Sequence, residues 1–201
     1  MSRASIDAAL AEAAAALERL RRDATALAAI DAAGELLARC LAAGGRVISC
    51  GNGGSMCDAM HFAEEMSGRF REDRPALAAI AIGDPGHLSC VANDYGYEQV
   101  FARFVQAHGR AGDVLLAIST SGSSPNVLAA ARAARAQSMA VIALTGRADA
   151  PLAALAQVAI CTPGGRYADR VQELHIKVIH MLIELVEERL GFASRPGPHA
   201  A

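Results

Sequence analysis

An α/β fold, a mainly parallel sheet covered on both faces by helices, is the class this sequence predicts. Three observations predict it. From Arg46 onward, apolar runs of four to six residues alternate with helix-like stretches, the pattern of strands buried on both faces. Two of those runs end in loops rich in Gly, Ser or Thr just before a helical stretch. The 201 residues, 53% hydrophobic against 20% charged, allow one domain that buries about 70% of its unfolded surface.

Residues 5–43 read as two helices, with Ala, Leu and Ile at three- and four-residue spacing, Glu and Arg opposite, and Gly44-Gly45 closing the second. Val47–Cys50 is a short strand ending in Gly51-Asn52-Gly53-Gly54-Ser55, and a helix then runs to about Gly68. Ala78–Ile82 is the second strand, followed by helical material around 86–107. Val114–Ser119 ends in Thr120-Ser121-Gly122-Ser123-Ser124-Pro125 and leads into an Ala-rich helix to about Gln137. Ala140–Leu144 and Val158–Cys161 complete a five-stranded sheet, and Tyr167–Leu190 closes the fold as one long helix. No internal repeat or low-complexity linker divides the chain, so residues 1–192 are expected to form one domain, N-terminal helices included. The tail 193–201, with Pro196, Gly197 and Pro198, is expected to be disordered.

Composition excludes several function classes. Lys+Arg 19 against Asp+Glu 21 gives a net charge of -2, which argues against broad binding to nucleic acid or anionic membrane. Aromatic residues are 4% with no Trp, too few for a base-stacking surface. The five cysteines at 40, 50, 57, 90 and 161 are odd in number, scattered and without C-x-x-C pairing, so neither a disulfide framework nor a cysteine zinc site is expected. Cys50 and Cys90 read as small core residues beside apolar segments. Asp7, Glu12 and Glu18 interrupt any signal-peptide core, and no uncharged apolar run approaches the roughly 20 residues of a membrane span. A cytoplasmic location is the default expectation.

In open parallel sheets, ligands bind beyond the carboxyl ends of the strands. The Gly51–Ser55 loop can bring backbone N–H groups close to a ligand, and Ser119–Ser124 offers hydroxyls plus the N–H groups of a starting helix. Neither scans as G-x-x-x-x-G-K-[ST] or G-x-G-x-x-G, and both are also consistent with simple turns and helix caps. The hydroxyl-rich loop directly after a strand, with no lysine in it, suits a monophosphate better than a triphosphate held with magnesium.

A second cluster lies on helices. His61 and Glu65, at i and i+4, share one face; Gln172 and His180, eight apart, project to similar sides of the closing helix. Two His, a Glu and a Gln form a nitrogen/oxygen set for zinc or a similar divalent ion, while a His/Glu pair at this spacing is more often a surface ion pair. Asp169, Glu173 and His175 lie nearby, with His175 read as a bystander.

In Gly51–Ser55, Asp58-Ala59-Met60-His61-Phe62-Ala63-Glu64-Glu65, Asn93-Asp94-Tyr95-Gly96, Ser119-Thr120-Ser121-Gly122 and Gln172-Glu173-Leu174-His175-Ile176, the sequence resembles the phosphoheptose isomerases (sedoheptulose 7-phosphate isomerases) of the sugar-isomerase (SIS) fold. The resemblance runs from the N-terminal helices to about Leu190. It implies a three-layer αβα sandwich around a five-stranded parallel sheet, assembled as a homotetramer with active sites between subunits. It further implies that Ser119, Thr120, Ser121 and Ser124 hold the substrate phosphate. Asn52, Gly53, Gly54, Ser55, Asn93 and Asp94 would contact the sugar chain, with Glu65 and Gln172 also touching substrate. One zinc per subunit would sit on His61, Glu65, Gln172 and His180.

The implied reaction converts D-sedoheptulose 7-phosphate to D-glycero-D-manno-heptose 7-phosphate, which would feed bacterial surface polysaccharide. Moving a proton between C1 and C2 through an enediol needs a base over the carbon and an acid or Lewis acid at the oxygens. By resemblance, Glu65 is the base and His180 the acid, although a zinc-bound carboxylate is a weaker base. Asp94 and Asp169 are second choices for proton handling, and Arg69 is either a substrate contact or a solvated helix-end arginine. Met56 and Gly83-Asp84-Pro85 depart from the family pattern without touching these positions. Two rival readings are a non-catalytic tetrameric scaffold that binds a replication-initiation protein and a sugar-phosphate sensor. Relatives of the first kind tend to lack the catalytic Glu and His that Glu65 and His180 supply, and those of the second usually carry a further module.

Overall fold

A computed structural model describes residues 2–165 and 167–192; the expected disordered tail lies outside the described residues. Helices α1 (Arg3–Arg22) and α2 (Ala24–Ala42) precede β1 (Val47–Cys50), α3 (Gly54–Ser67) and β2 (Ala79–Ala81). Then come α4 (Pro85–Tyr95), a 3-10 turn at Tyr97–Gln99, α5 (Val100–His108), β3 (Val114–Ser119) and α6 (Pro125–Ala136). The chain continues through β4 (Ala140–Thr145), α7 (Pro151–Leu155), β5 (Val158–Cys161) and α8 (Ala168–Arg189). Asp23 separates the first two helices: its carboxylate accepts from the N–H groups of Thr25 and Ala26, both at 3.0 Å, and so caps α2.

All five strands are parallel, in the order β2-β1-β3-β4-β5. Side chains alternate across the sheet with period two. Val114, Leu116 and Ile118 of β3 face a layer made by α2, α3 and α8, whose buried residues include Leu37, Phe62, Met66, Ile179 and Ile183. Leu115 and Ala117 face the opposite layer of α4 to α7, where Phe101, Val105, Val127 and Leu152 pack. Each residue of the central strands β1 and β3 is therefore covered whichever way it points, which is why these strands carry no polar alternation, whereas Ile80 on the edge strand β2 is exposed.

Three details differ from the sequence expectation. The helical material around 86–107 divides at Gly96 into α4, the 3-10 turn and α5. The short helix α7 was not anticipated, since five residues carry too little periodicity to read. Cys90 is exposed on α4, its Sγ 3.7 Å from Asp94 Oδ2, rather than in the core; Cys50 is buried as expected.

Candidate active site

The strand order fixes where ligands can bind. After β1 the chain crosses to β2 on one side and returns to β3 on the other, so the helices leaving β1 and β3 diverge and leave a crevice at the carboxyl ends of these strands. The loops at Gly51–Ser55 and Ser119–Ser124 stand at that crevice. A separate surface depression of about 490 Å³ lies around Cys40, Asp113 and Ser138 at the opposite strand ends. Asp113 there is occupied in accepting from the N–H groups of Arg46 at 2.9 Å and Arg110 at 3.0 Å.

The serine-rich loop is held in shape before any ligand arrives. Ser119 Oγ lies 3.1 Å from Ser124 Oγ and accepts from Gly122 N–H at 3.1 Å. Ser121 Oγ accepts from Ser123 through its N–H at 3.2 Å and its hydroxyl at 3.0 Å. From behind, Gly146 N–H donates to the Thr120 carbonyl and Leu152 N–H to the Gly122 carbonyl, both at 3.0 Å. Gly122 has φ +62°, and a Cβ there would overlap Ala150 and approach Thr145 Oγ1 to 2.7 Å, so only glycine fits. Thr120 and Ser121 stand at the open side, and Ser124 at the N-cap position of α6 makes no side-chain capping bond, an arrangement able to take a phosphate.

The glycine loop is tied to this loop and to α8. Asn52 and Asn126 form a reciprocal amide pair, each Nδ2 donating to the other's Oδ1 at 2.8 Å, and the Tyr97 hydroxyl donates to Asn52 Oδ1 at 3.3 Å. Gly53 precedes α3, Gly54 opens it, and Ser55 is buried in its first turn. A Cβ at Gly54 would overlap the Gln172 amide, so the missing side chain lets α8 pack closely on the start of α3.

Farther along, the same two helices bring the predicted histidines together. His61 Nε2 lies 3.0 Å from His180 Nε2 and 3.6 Å from Glu65 Oε1, and His61 Nδ1 lies 3.0 Å from Glu64 Oε1. The ligand atoms of His61, Glu64 and Glu65 all fall within 4.8 Å of one another. With Nδ1–H donated to Glu64, the lone pair of His61 Nε2 faces the cluster, the arrangement that prepares an imidazole for a metal. An imidazole nitrogen and carboxylate oxygens gathered in this way, with the His180 ring beside them, have the donor chemistry of a zinc-type site. Burial, then His61 and Lys177, lower the pKa of His180, only partly opposed by Glu65 and Glu184, which favours its neutral ring. Burial likewise pushes the Asp58 carboxyl, one turn before His61, up to about 6.

The remaining predicted residues are more dispersed. Gln172 contacts the start of α3, two turns along α8 from His180. Asn93 and Asp94 are exposed at the end of α4, joined to each other by a hydrogen bond from Asn93 Nδ2 at 2.8 Å. Asp169 is exposed in the first turn of α8 and accepts from Arg170 N–H at 2.8 Å. Arg69 is exposed after α3 and makes no hydrogen bond or ion pair among the described residues. Sequence reasoning missed Glu64 and Asn126. Glu64 was signalled by its i+3 spacing from His61, whereas nothing in the sequence linked Asn126 to Asn52 across 74 positions.

Comparison with known proteins gives consistent matches. The SIS domain family model matches residues 10–146. The chain is 59% identical over 182 residues to the phosphoheptose isomerase of Aeromonas hydrophila, covering 90% of this chain and 95% of that protein. Among solved structures, it is similar to the phosphoheptose isomerase of Neisseria gonorrhoeae, with TM-score 0.84, 40% identity and coverage of 92% and 98% of the two chains. A phosphoheptose isomerase from Francisella tularensis matches with TM-score 0.87 and 33% identity, covering 94% of this chain and 99% of that one.

Proposed function

The chain belongs to the phosphoheptose isomerases of the SIS domain family, and on that premise we propose that the residues described above carry out its isomerisation. It is an isomerase, interconverting D-sedoheptulose 7-phosphate and D-glycero-D-manno-heptose 7-phosphate through an enediol. Ser119, Thr120, Ser121 and Ser124 hold the phosphate, and the Asn52–Ser55 loop, with Asn93 and Asp94, holds the sugar chain. Glu65 takes the proton from C1 of the ketose and returns it to C2, while His180 donates an N–H to the oxygens where negative charge develops. Its lowered pKa supports the second role, since a neutral imidazole donates without first losing a stable positive charge.

One zinc per subunit, held by His61, Glu65, Gln172 and His180, would supply positive charge beside those oxygens. Glu64 orients His61, and Gln172 also reaches substrate from its place against Gly54. Arg69 and Asp169 serve as outer substrate or orienting contacts. Residues 1–192 act as one unit, and a homotetramer with active sites between subunits is supported by α1. That helix leaves Ile6, Leu10 and Leu17 at 46%, 65% and 47% exposure along its length, more apolar surface than a solitary helix face needs. The reaction takes place in the cytoplasm, and its product feeds heptose for surface polysaccharide. Among the described residues no helix is long and apolar enough to cross a membrane. The non-catalytic scaffold is not favoured, because Glu65, His180 and Ser121 are all present and the relatives at 54% to 59% identity are phosphoheptose isomerases.

The observation that carries this assignment of roles is the approach of His61, Glu65 and His180 within 3.0 and 3.6 Å on two helices anchored at the ligand loops. Steady-state kinetics and direct binding test it. Glu65→Gln abolishes turnover while substrate Kd stays within about tenfold, because the phosphate loop carries much of the affinity. Ser121→Ala mainly raises KM. Turnover at the wild-type rate in the first variant, or an unchanged KM in the second, would remove that residue from its role.

A further inference from the structure

Asn126 lies in the first turn of α6, two residues beyond Ser124, and is only 3% exposed. Its Oδ1 accepts two hydrogen bonds, from Val127 N–H at 3.0 Å and from Asn52 Nδ2 at 2.8 Å. The backbone donor fixes which way its amide faces, since a flipped Asn126 would set its NH2 group against the Val127 N–H. With the oxygen so placed, Asn126 Nδ2 is aimed at Asn52 Oδ1, 2.8 Å away. That oxygen has two lone pairs; the second receives the Tyr97 hydroxyl at 3.3 Å. Asn52 has therefore spent its acceptor capacity and one of its two amide hydrogens inside the protein. One N–H is left, and it can only donate.

We propose that Asn126 is a positioning residue for substrate recognition, acting through Asn52. It fixes Asn52 as a hydrogen-bond donor toward an oxygen of the sugar chain and locks the sugar-contacting loop to the phosphate-holding loop. The proposal rests on the assignment of those two loops to substrate. Its chemical consequence is specific: the partner of Asn52 is an acceptor oxygen, a hydroxyl or carbonyl of a polyol phosphate, and the two ends of such a ligand are registered through one buried amide pair. A merely structural Asn126 would stabilise α6 without preferring a phosphorylated sugar over phosphate itself.

The test is a double-mutant cycle on the full-length protein, with KM for sedoheptulose 7-phosphate and Kd for inorganic phosphate measured for each variant. Asn126→Ala raises KM about tenfold, the loss of one oriented hydrogen bond, and leaves the phosphate Kd within about twofold of wild type. Asn126→Asp keeps the acceptor for Val127 and Asn52 Nδ2 but cannot donate to Asn52 Oδ1, so it shifts KM in the same direction and carries the test if the alanine variant does not fold. In an Asn52→Ala background, Asn126→Ala adds nothing further. An unchanged KM in both Asn126 variants, an equal loss of phosphate affinity, or multiplicative effects in the double variant would each overturn the proposal. If Asn52→Ala and Ser121→Ala also leave KM unchanged, the assignment of the loops has failed; if they raise it while the Asn126 variants do not, only this inference has.

Discussion

His175 shows how much a single buried side chain can couple stability to pH. It is fully buried on α8, and neither ring nitrogen makes a well-directed hydrogen bond, although the nearby Thr145 carbonyl favours the proton. Burial is the larger influence and pushes the pKa down to about 4. Because the folded value lies below the ordinary value near 6.5, the unfolded chain binds the proton more readily. Its contribution is whole above about pH 6.5 and is lost as pH falls toward 4, to a total of about 3 kcal/mol. In urea unfolding at fixed protein concentration, wild type should lose about 2 kcal/mol more than His175→Leu between pH 7.5 and pH 5. Parallel pH dependences would contradict this. His175 read as a bystander in the sequence because burial belongs to the packing of α8 and not to its own neighbours. The same is true of Asn126, whose partner is fixed only when two loops meet, while His61 and Glu65 could be paired from helical spacing alone.

At the scale of elements, the site depends on two helices lying side by side, and a buried arginine pins them. Arg74, with 2% of its side chain exposed, donates to the carbonyls of Glu65 at 2.6 Å and Met66 at 2.7 Å, capping the end of α3. Its Nε donates at 2.8 Å to Glu187 on α8, which is also largely buried. Helix α3 has no basic residue in its own last turn, so Arg74 supplies the charge that its carbonyl end favours. Glu187→Ala leaves that guanidinium buried and unpaired and should cost about 3 kcal/mol or more. Arg71→Ala breaks an exposed pair with Glu184 and should cost less than about 1 kcal/mol. Urea denaturation of both variants checks the contrast, and equal losses would show that Arg74 is not the pin. The helices themselves were legible because their periodic apolar faces are long. Their pairing was not, since nothing local marks Gly54 as the partner of Gln172 or Arg74 as the partner of Glu187. Short features were illegible for the opposite reason: α7 has too few residues to show a period.

For the whole molecule, the parallel order with β1 beside β3 gathers the two loops at one crevice, and every other feature of the site is arranged from there. Alternation of short apolar runs with helices made this architecture readable, along with both loops and the His61/Glu65 pair within one helix. The order of the strands and the burial of individual polar groups arise only from the assembled sheet. The central claim is that this chain moves a proton between C1 and C2 of a ketose phosphate with Glu65 as base. Incubating the purified protein with sedoheptulose 7-phosphate in D₂O and following the sugar by NMR tests it most directly. The account predicts an aldoheptose 7-phosphate carrying deuterium at C2, ketose labelled at C1 by the reverse reaction, and neither with Glu65→Gln. A folded wild-type protein that gives no aldose and no deuterium, or a Glu65→Gln variant that exchanges as fast as wild type, would contradict it.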